Sequence, residues 1–300
     1  MEFLMEWWDM LVTAILRGGL YALMAVGLSL VFGVMNIANF AHGELYMLGA
    51  YFAYFSHTTL KLGPVMSILT AGILTFVVGA GLEKAFFYPL RQRSKGQWLM
   101  NSFLVTLGIA IILQNTAKLV WGSTYRGITQ YWPGRVDWIS SMSISMDRVV
   151  GFVIAVIAIA ALVLFLNKTR IGRAIRAVSQ DETGASLVGI DRDFIQTLTF
   201  ALSAGLAAIA GACLLSINPA YPMMGVQPLY KSWFVLILVG MGNLGGSIAG
   251  GLLVGLLETV TYTYFGGGWQ DVISLSVIIM ILLFKPSGLF GMKGVKSAVE

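Results

Sequence analysis

Apolar side chains dominate this chain of 300 residues: 57% are hydrophobic and 11% are charged, and 19 Lys and Arg against 14 Asp and Glu give a formal net charge of +5. Because a soluble domain carries about 25% charged residues, this composition excludes a water-soluble globular protein and makes lipid the solvent for most of the chain. The length has room for about eight to ten spans of roughly 20 residues. We therefore predict one transmembrane domain, residues 1–300, without a separate soluble domain.

The apolar runs predict membrane-spanning helices, since lipid offers backbone groups no hydrogen-bond partner and the runs lack the period-two alternation of barrel strands. The predicted fold class is an all-α integral membrane protein with about eight or nine crossings, the short run 232–243 being the ninth. The runs cover residues 11–33, 36–55, 65–88, 99–121, 149–167, 194–216, 232–243, 244–264 and 271–284. Arg17, near the outer end of the first run, is expected to snorkel toward the interface.

An unusually polar stretch interrupts the first two runs. Residues 33–43 and their neighbour Glu44 bring Asn36, Asn39, His42 and Glu44 together in "GVMNIANFAHGE". Ionisable groups at membrane depth are costly and usually face a cavity, a bundle interior or each other. The stretch therefore predicts a broken helix. Its polar groups either line a water-accessible path or form hydrogen bonds with the backbone groups that the break leaves unpaired. The sequence favours neither role over the other.

A Gly-rich stretch at residues 240–250 resembles the first break. Asn36 aligns with Asn243, and Gly43 with Gly250, so a second broken helix and an internal repeat are predicted. Matched interruptions in two halves are typical of repeat-built transporters. "GMGNLG" also fits a dinucleotide fingerprint, but its flanks are membrane-apolar, so close helix packing is the better interpretation.

Basic residues cluster in three regions, which the positive-inside rule makes cytoplasmic and which argues against nucleic acid as a partner. The N-terminus is then outside and the C-terminus inside. The regions contain Lys84, Arg91, Arg93 and Lys95; Lys168, Arg170, Arg173, Arg176 and Arg192; and Lys285, Lys293 and Lys296. The Trp- and Tyr-rich loop 122–148 and the Pro-rich loop 217–231 fall outside, where a partner that delivers substrate would meet them.

The cytoplasmic segment 168–193 has the apolar spacing of a short amphipathic helix, with Arg173 and Arg176 on its polar side. Such a helix suits docking to a soluble partner, or it lies on the basic face of the membrane. The sequence also limits the chemistry. Cys213 is the only cysteine, no P-loop occurs, and His42 and Glu44 project about 200° apart on a helix. We expect no metal site, no cofactor and no enzyme activity.

Three segments resemble the branched-chain amino-acid permease family of ABC importers: "GLSLVFGVMNIANFAHGELYMLGAY", "RAVSQDETGASLVGI" and "GMGNLGGSIAGG". The resemblance covers nearly the whole chain. It implies a multi-pass permease subunit in a bacterial inner membrane, paired with a homologous second permease. It also implies two ATPase subunits underneath, which bind the ATP, and a periplasmic protein that delivers leucine, isoleucine or valine. The segment around 177–191 would seat in an ATPase groove.

Two sets of candidate functional residues follow. Residues expected to line the substrate pathway are Asn36, Asn39, His42, Glu44 and Asn243. Residues expected to couple the chain to the ATPases are Arg176, Asp181, Glu182, Gly184, Leu187, Gly189 and Asp191.

Alternative functions stay open at this point. A similar importer could carry urea, amides or other amino acids. An ion-coupled secondary transporter would use His42 and Glu44 as a proton relay. A membrane enzyme would need a catalytic constellation, and the sequence shows none.

Overall fold

The computed structural model describes residues 2–93, 97–137 and 143–291 of the chain. These residues form twelve α-helices and one small hairpin. The helices are α1 (Glu2–Met35), α2 (His42–Thr58), α3 (Pro64–Leu82), α4 (Tyr88–Arg93), α5 (Trp98–Trp121), α6 (Met146–Lys168), α7 (Arg170–Gln180), α8 (Glu182–Leu187), α9 (Arg192–Cys213), α10 (Val226–Val239), α11 (Leu244–Phe265) and α12 (Gln270–Phe284). A π-helical turn, Glu83–Phe87, joins α3 to α4, and a 3-10 turn, Gly267–Trp269, precedes α12.

The prediction of an all-α integral membrane protein is confirmed. Within the described ranges, seven helical segments are long and apolar enough to cross a membrane, among them the continuous segment Pro64–Arg93 that spans α3 to α4. The helices α2 and α10, with 17 and 14 residues, are shorter. Counting these two gives nine, the upper predicted number. The chain is thus a multi-pass membrane protein.

Several predicted boundaries are wrong. The first span was predicted from residue 11, but α1 begins at Glu2. The second span was predicted from residue 36, but α2 begins at His42 and the chain from Asn36 to Ala41 is not helical. The short span was predicted at 232–243, but α10 covers Val226–Val239, so the last residues of the predicted loop 217–231 are helical. Lys95, Lys293 and Lys296 lie outside the described residues.

The centre of the bundle consists of α1, α2 and α9, whose small residues allow close approach. A Cβ atom on Gly49 of α2 would lie 2.2 Å from the Ala208 Cα atom of α9, and one on Gly211 would lie 2.1 Å from the Tyr46 carbonyl oxygen. Small residues bring helix backbones together where lipid supplies no hydrophobic drive between helices. The helices α5 and α12 are far more exposed.

The loop predicted over the outer membrane face contains a β-hairpin and several hydrogen bonds that fix its backbone. A hairpin pairs β1 (Arg135–Asp137) with β2 (Ser143–Ser145). The Asp147 side chain accepts hydrogen bonds from the backbone N–H groups of Tyr131 (3.2 Å) and Trp132 (2.8 Å). Arg126 and Ala220 exchange two backbone hydrogen bonds, so this loop and the loop after α9 form one surface. Residues 138–142 of the loop lie outside the described residues.

An ion-pair cluster joins the π-helical turn to the start of α9. Arg91 pairs with Glu83, which is fully buried, and with Asp193 in the first turn of α9. The Thr197 hydroxyl donates a 2.5 Å hydrogen bond to Glu83. The cluster fixes the α3–α4 segment against α9, immediately after the segment 168–193.

Removing the arginine of this cluster is expected to destabilise the bundle. Arg91→Leu leaves the buried Glu83 carboxylate without its cation, which costs about 3–5 kcal/mol. We expect a lower unfolding temperature in detergent, and recovery when Glu83→Gln is added. The exposed Arg93→Leu is the matched control and should unfold like the unchanged chain. Equal unfolding temperatures for Arg91→Leu and Arg93→Leu would show that the cluster contributes nothing.

Candidate functional site

The first break is stabilised by its own polar residues. Asn36 has a positive φ of 54° and donates its backbone N–H to the Phe32 carbonyl, so it ends α1 in the left-handed conformation that asparagine tolerates. The Asn39 side chain accepts a 3.0 Å hydrogen bond from the Ala41 N–H. Such a local side-chain bond competes with the helix, and α2 begins only at His42.

His42 and Glu44 point in different directions, as their spacing predicts. The His42 Nε2 atom lies 3.1 Å from the Met24 carbonyl oxygen of α1, and its Nδ1 lies 3.4 Å from the Ser203 hydroxyl of α9. Glu44 is buried, and Gln114 of α5 donates a 2.7 Å hydrogen bond to it. The two side chains thus tie α2 to three different helices.

The second break also lies where the sequence predicts it. Gly240 and Gly242 have φ values of 103° and 82°, which favour glycine. The Asn243 side chain caps α11 by accepting from the Gly246 N–H (2.9 Å) and donates to the Phe290 carbonyl (3.1 Å).

The last turn of α1 touches the second break. A Cβ atom on Gly33 would lie 3.3 Å from the Gly242 carbonyl oxygen, so the end of α1 and the link before α11 are in contact. Each break is a short non-helical link between two helices. This shared arrangement agrees with the sequence echo, while descent from one repeat stays a hypothesis.

A cavity of about 630 Å³ lies between α1, α10, the end of α9 and the two loops that the sequence predicts to be outside, and we name it the outward cavity after that prediction. Arg17, Arg135, Arg148 and Lys231 line it. None of the five predicted pathway residues is among its lining residues, although Tyr46, two positions after Glu44, is. The pathway role of those five residues stays a prediction, and the bonds they make are those expected of residues that stabilise the breaks.

A buried ion cluster adjoins this cavity. The Lys231 ammonium pairs with Glu258 of α11 and Asp271 of α12, and the Tyr21 hydroxyl donates a 2.7 Å hydrogen bond to Glu258. Glu258 lies within the predicted run 244–264, whereas Lys231 was predicted to be the last residue of the loop 217–231. The short span was predicted to start at residue 232, so Lys231 was assigned to the loop before it. The four residues of the cluster are far apart in the sequence, and no local sequence pattern predicts that they meet.

The predicted coupling residues do not form one helix. They run from the end of α7 through the short helix α8 to the cap of α9. Asp181 ends α7 and caps α8, accepting from the N–H groups of Thr183 (3.0 Å) and Gly184 (2.9 Å). Gly189 has a φ of 85° at the end of α8, and Asp191 caps α9 by accepting from Asp193 and Phe194. These caps fix the turns that orient α8 between α7 and α9.

Charged and polar contacts hold α8 against α9. The Glu182 carboxylate of α8 accepts a hydrogen bond from Gln196 (3.1 Å) and pairs with Arg192 (3.4 Å), both in α9. Arg176 of α7 donates a hydrogen bond to the Asn167 side chain of α6 (3.0 Å). Leu187 is nevertheless 84% exposed and Val188 77% exposed. The segment therefore presents an apolar tip outside the bundle.

Comparison with known proteins identifies the family. The family model described as branched-chain amino acid transport system / permease component matches residues 10–282. The chain belongs to this family. A curated relative, the high-affinity branched-chain amino acid transport system permease protein BraD of Pseudomonas aeruginosa, is 33% identical over 294 residues, which cover 94% of each chain. No solved structure gives a significant match.

Two further relatives place the chain among the family's permeases. The permease protein LivH of Escherichia coli strain K12 is 30% identical over 289 residues, 91% of this chain and 92% of LivH. The permease protein LivM of the same strain is 24% identical over 301 residues, 91% of this chain and 68% of LivM. The family membership confirms the resemblance seen in the three sequence segments.

Proposed function

We propose that the chain is the transmembrane permease subunit of an ATP-driven importer that carries leucine, isoleucine and valine delivered by a periplasmic binding protein. The structural observation that supports it most is the apolar tip of Leu187 and Val188, held away from the bundle between two capped turns. A short rigid helix with an exposed apolar end suits a groove on a soluble partner. Membership of the permease family supports the cargo.

The proposal includes the partners and the orientation. A homologous second permease pairs with the chain, and two ATPase subunits bind the ATP beneath segment 168–193. The chain itself needs no cofactor and has no ATPase activity. It lies in a bacterial inner membrane as one domain, with the N-terminus outside and the C-terminus in the cytoplasm. The nine potential crossings among the described residues, an odd number, and the basic residues of α4 and α7 support this orientation.

In this mechanism the outer loops receive the loaded binding protein above the outward cavity. ATP binding closes the two ATPases, and α8 transmits that movement to α9 through the caps at Asp181 and Asp191. The ion pairs from Asp193 through Arg91 to Glu83 carry it to the α3–α4 segment. The contact between Gly33 at the end of α1 and Gly242 in the second break is a place where the non-helical backbone around Gly242 allows the bundle to rearrange.

The proposal is tested by affinity purification of the tagged chain in mild detergent with mass spectrometry of what accompanies it. We expect a second permease and two P-loop ATPases. A homo-oligomer that contains no ATPase, together with gradient-driven uptake in vesicles, would favour the secondary transporter instead. For that rival, His42 and Glu44 would have to act together, but they bond to α1 and α9 on one side and to α5 on the other.

A further inference from the structure

The outward cavity is strongly biased toward positive charge. Among the described residues, four basic side chains line it and no carboxylate does. Glu6 and Asp9 belong to a neighbouring cavity of about 500 Å³, whose wall includes Arg17 and Arg148. Low-dielectric walls focus such a field and raise the local concentration of groups with the opposite charge. Glu258 and Asp271 offset the charge of Lys231, so the positive charge of the cavity comes from Arg17, Arg135 and Arg148. This charge favours the entry of a negatively charged group.

We propose that the permease itself recognises the carboxylate of its cargo, with Lys231 as the cation that binds it in the outward cavity. This inference rests on the proposed function and adds to it the residue that recognises the cargo. The permease then accepts a small molecule with a carboxylate and an apolar tail, and it rejects the neutral amides and urea named as alternative cargoes.

Lys231 can accept a third partner and can exchange one it already has. Its ammonium has three donors, and two of them face Glu258 and Asp271. Glu258 is buried and Tyr21 also donates to it, whereas the Asp271 side chain is 60% exposed. Water can solvate Asp271 when its bond to Lys231 breaks, so a cargo carboxylate can replace Asp271 while Glu258 continues to hold the lysine in place.

The remaining wall suits an aliphatic side chain. Leu20 and Met24 of α1 face the cavity together with Leu214, Ile217 and Met224. A volume of about 630 Å³ lies within the range of small-molecule sites. The negative and apolar ends of the cargo therefore determine acceptance.

The first experiment separates recognition from charge balance. Lys231→Gln alone leaves Glu258 without its cation, so the informative variant is Lys231→Gln with Glu258→Gln, which removes one positive and one negative charge and leaves the net charge of the cluster unchanged. In the reconstituted importer with loaded binding protein, we expect this double variant to lose about tenfold or more in maximal uptake. The concentration of binding protein at half-maximal uptake should not change, because Lys231 lies within the cavity rather than on the outer surface. Lys118→Gln, an exposed lysine on α5, is the matched control and should transport normally.

The second experiment tests the substrate class without ATP or binding protein. Millimolar leucine is expected to raise the unfolding temperature of the purified permease, and leucinamide, which lacks the carboxylate, is not. The double variant should lose the response to leucine. Equal stabilisation by both probes, or none by either, would contradict the inference.

Failure of the two proposals can be told apart. If the unchanged importer transports leucine and the double variant matches it, Lys231 only neutralises Glu258 and the carboxylate inference is wrong. If the unchanged importer shows no ATP-dependent uptake, the proposed function itself is wrong.

Discussion

Replacing the exposed apolar tip with charge, in the variant Leu187→Asp with Val188→Asp, is expected to lower ATP-driven uptake by at least about tenfold. Burying two aliphatic side chains in a partner's groove stabilises a complex by about 1.5–3 kcal/mol each. Two buried carboxylates would reverse that contribution. Both side chains are exposed in the described structure, so the bundle should unfold at its usual temperature.

The measurement pairs uptake with recovery of the ATPases on the tagged permease. Leu60→Asp is the matched control. Leu60 is also an exposed leucine (65%), but it lies in the link between α2 and α3 and not in the segment 168–193. It should retain both the ATPases and the uptake. If the double variant keeps the ATPases and takes up cargo at the normal rate, α8 is not part of the surface that couples the chain to the ATPases.

The second large effect concerns stability. Gly49→Val and Gly211→Val each place a side chain where a backbone atom of the facing helix is about 2.2 and 2.1 Å from the new Cβ. The helices α2 and α9 must then separate, and overpacking of this kind costs about 1–3 kcal/mol or more. We expect each variant to yield little folded protein and to unfold at a clearly lower temperature.

Gly108→Val provides the control for helix propensity. Gly108 lies within α5, and nothing comes within 4 Å of a Cβ added there. Both substitutions replace a helical glycine with a β-branched residue. They therefore differ only in the contact that the new side chain makes with a facing helix. If Gly108→Val and Gly49→Val unfold alike, the close approach of α2 and α9 is not what holds the centre together.

Much of the helix order is predictable from the sequence because lipid imposes a strong pattern on the chain. Apolar runs identified the spans, and asparagine with glycine identified both breaks. The start of α10 was missed because Pro228 was taken as a loop residue. Proline is tolerated in the first turn of a helix, which is where the structure has it. The start of α2 was missed because Asn39 bonds to the backbone locally.

The ion cluster beside the outward cavity was not predictable in the same way. Tyr21, Lys231, Glu258 and Asp271 belong to four helices, and only tertiary packing joins them. The same holds for Gln114, which bonds to Glu44 across 70 positions of sequence. The helix caps at Asp181 and Asp191, by contrast, depend on residues within one turn, and the sequence places both residues in the predicted coupling set.

Reconstituted transport tests the central claim most directly. The chain, its second permease and two ATPases are placed in lipid vesicles, with loaded binding protein outside and ATP or a non-hydrolysable analogue inside. The account predicts leucine accumulation that requires both ATP hydrolysis and the binding protein, and that stops in the Leu187→Asp, Val188→Asp variant. Uptake by the chain alone, driven by an ion gradient and unaffected by loss of ATP, would contradict it.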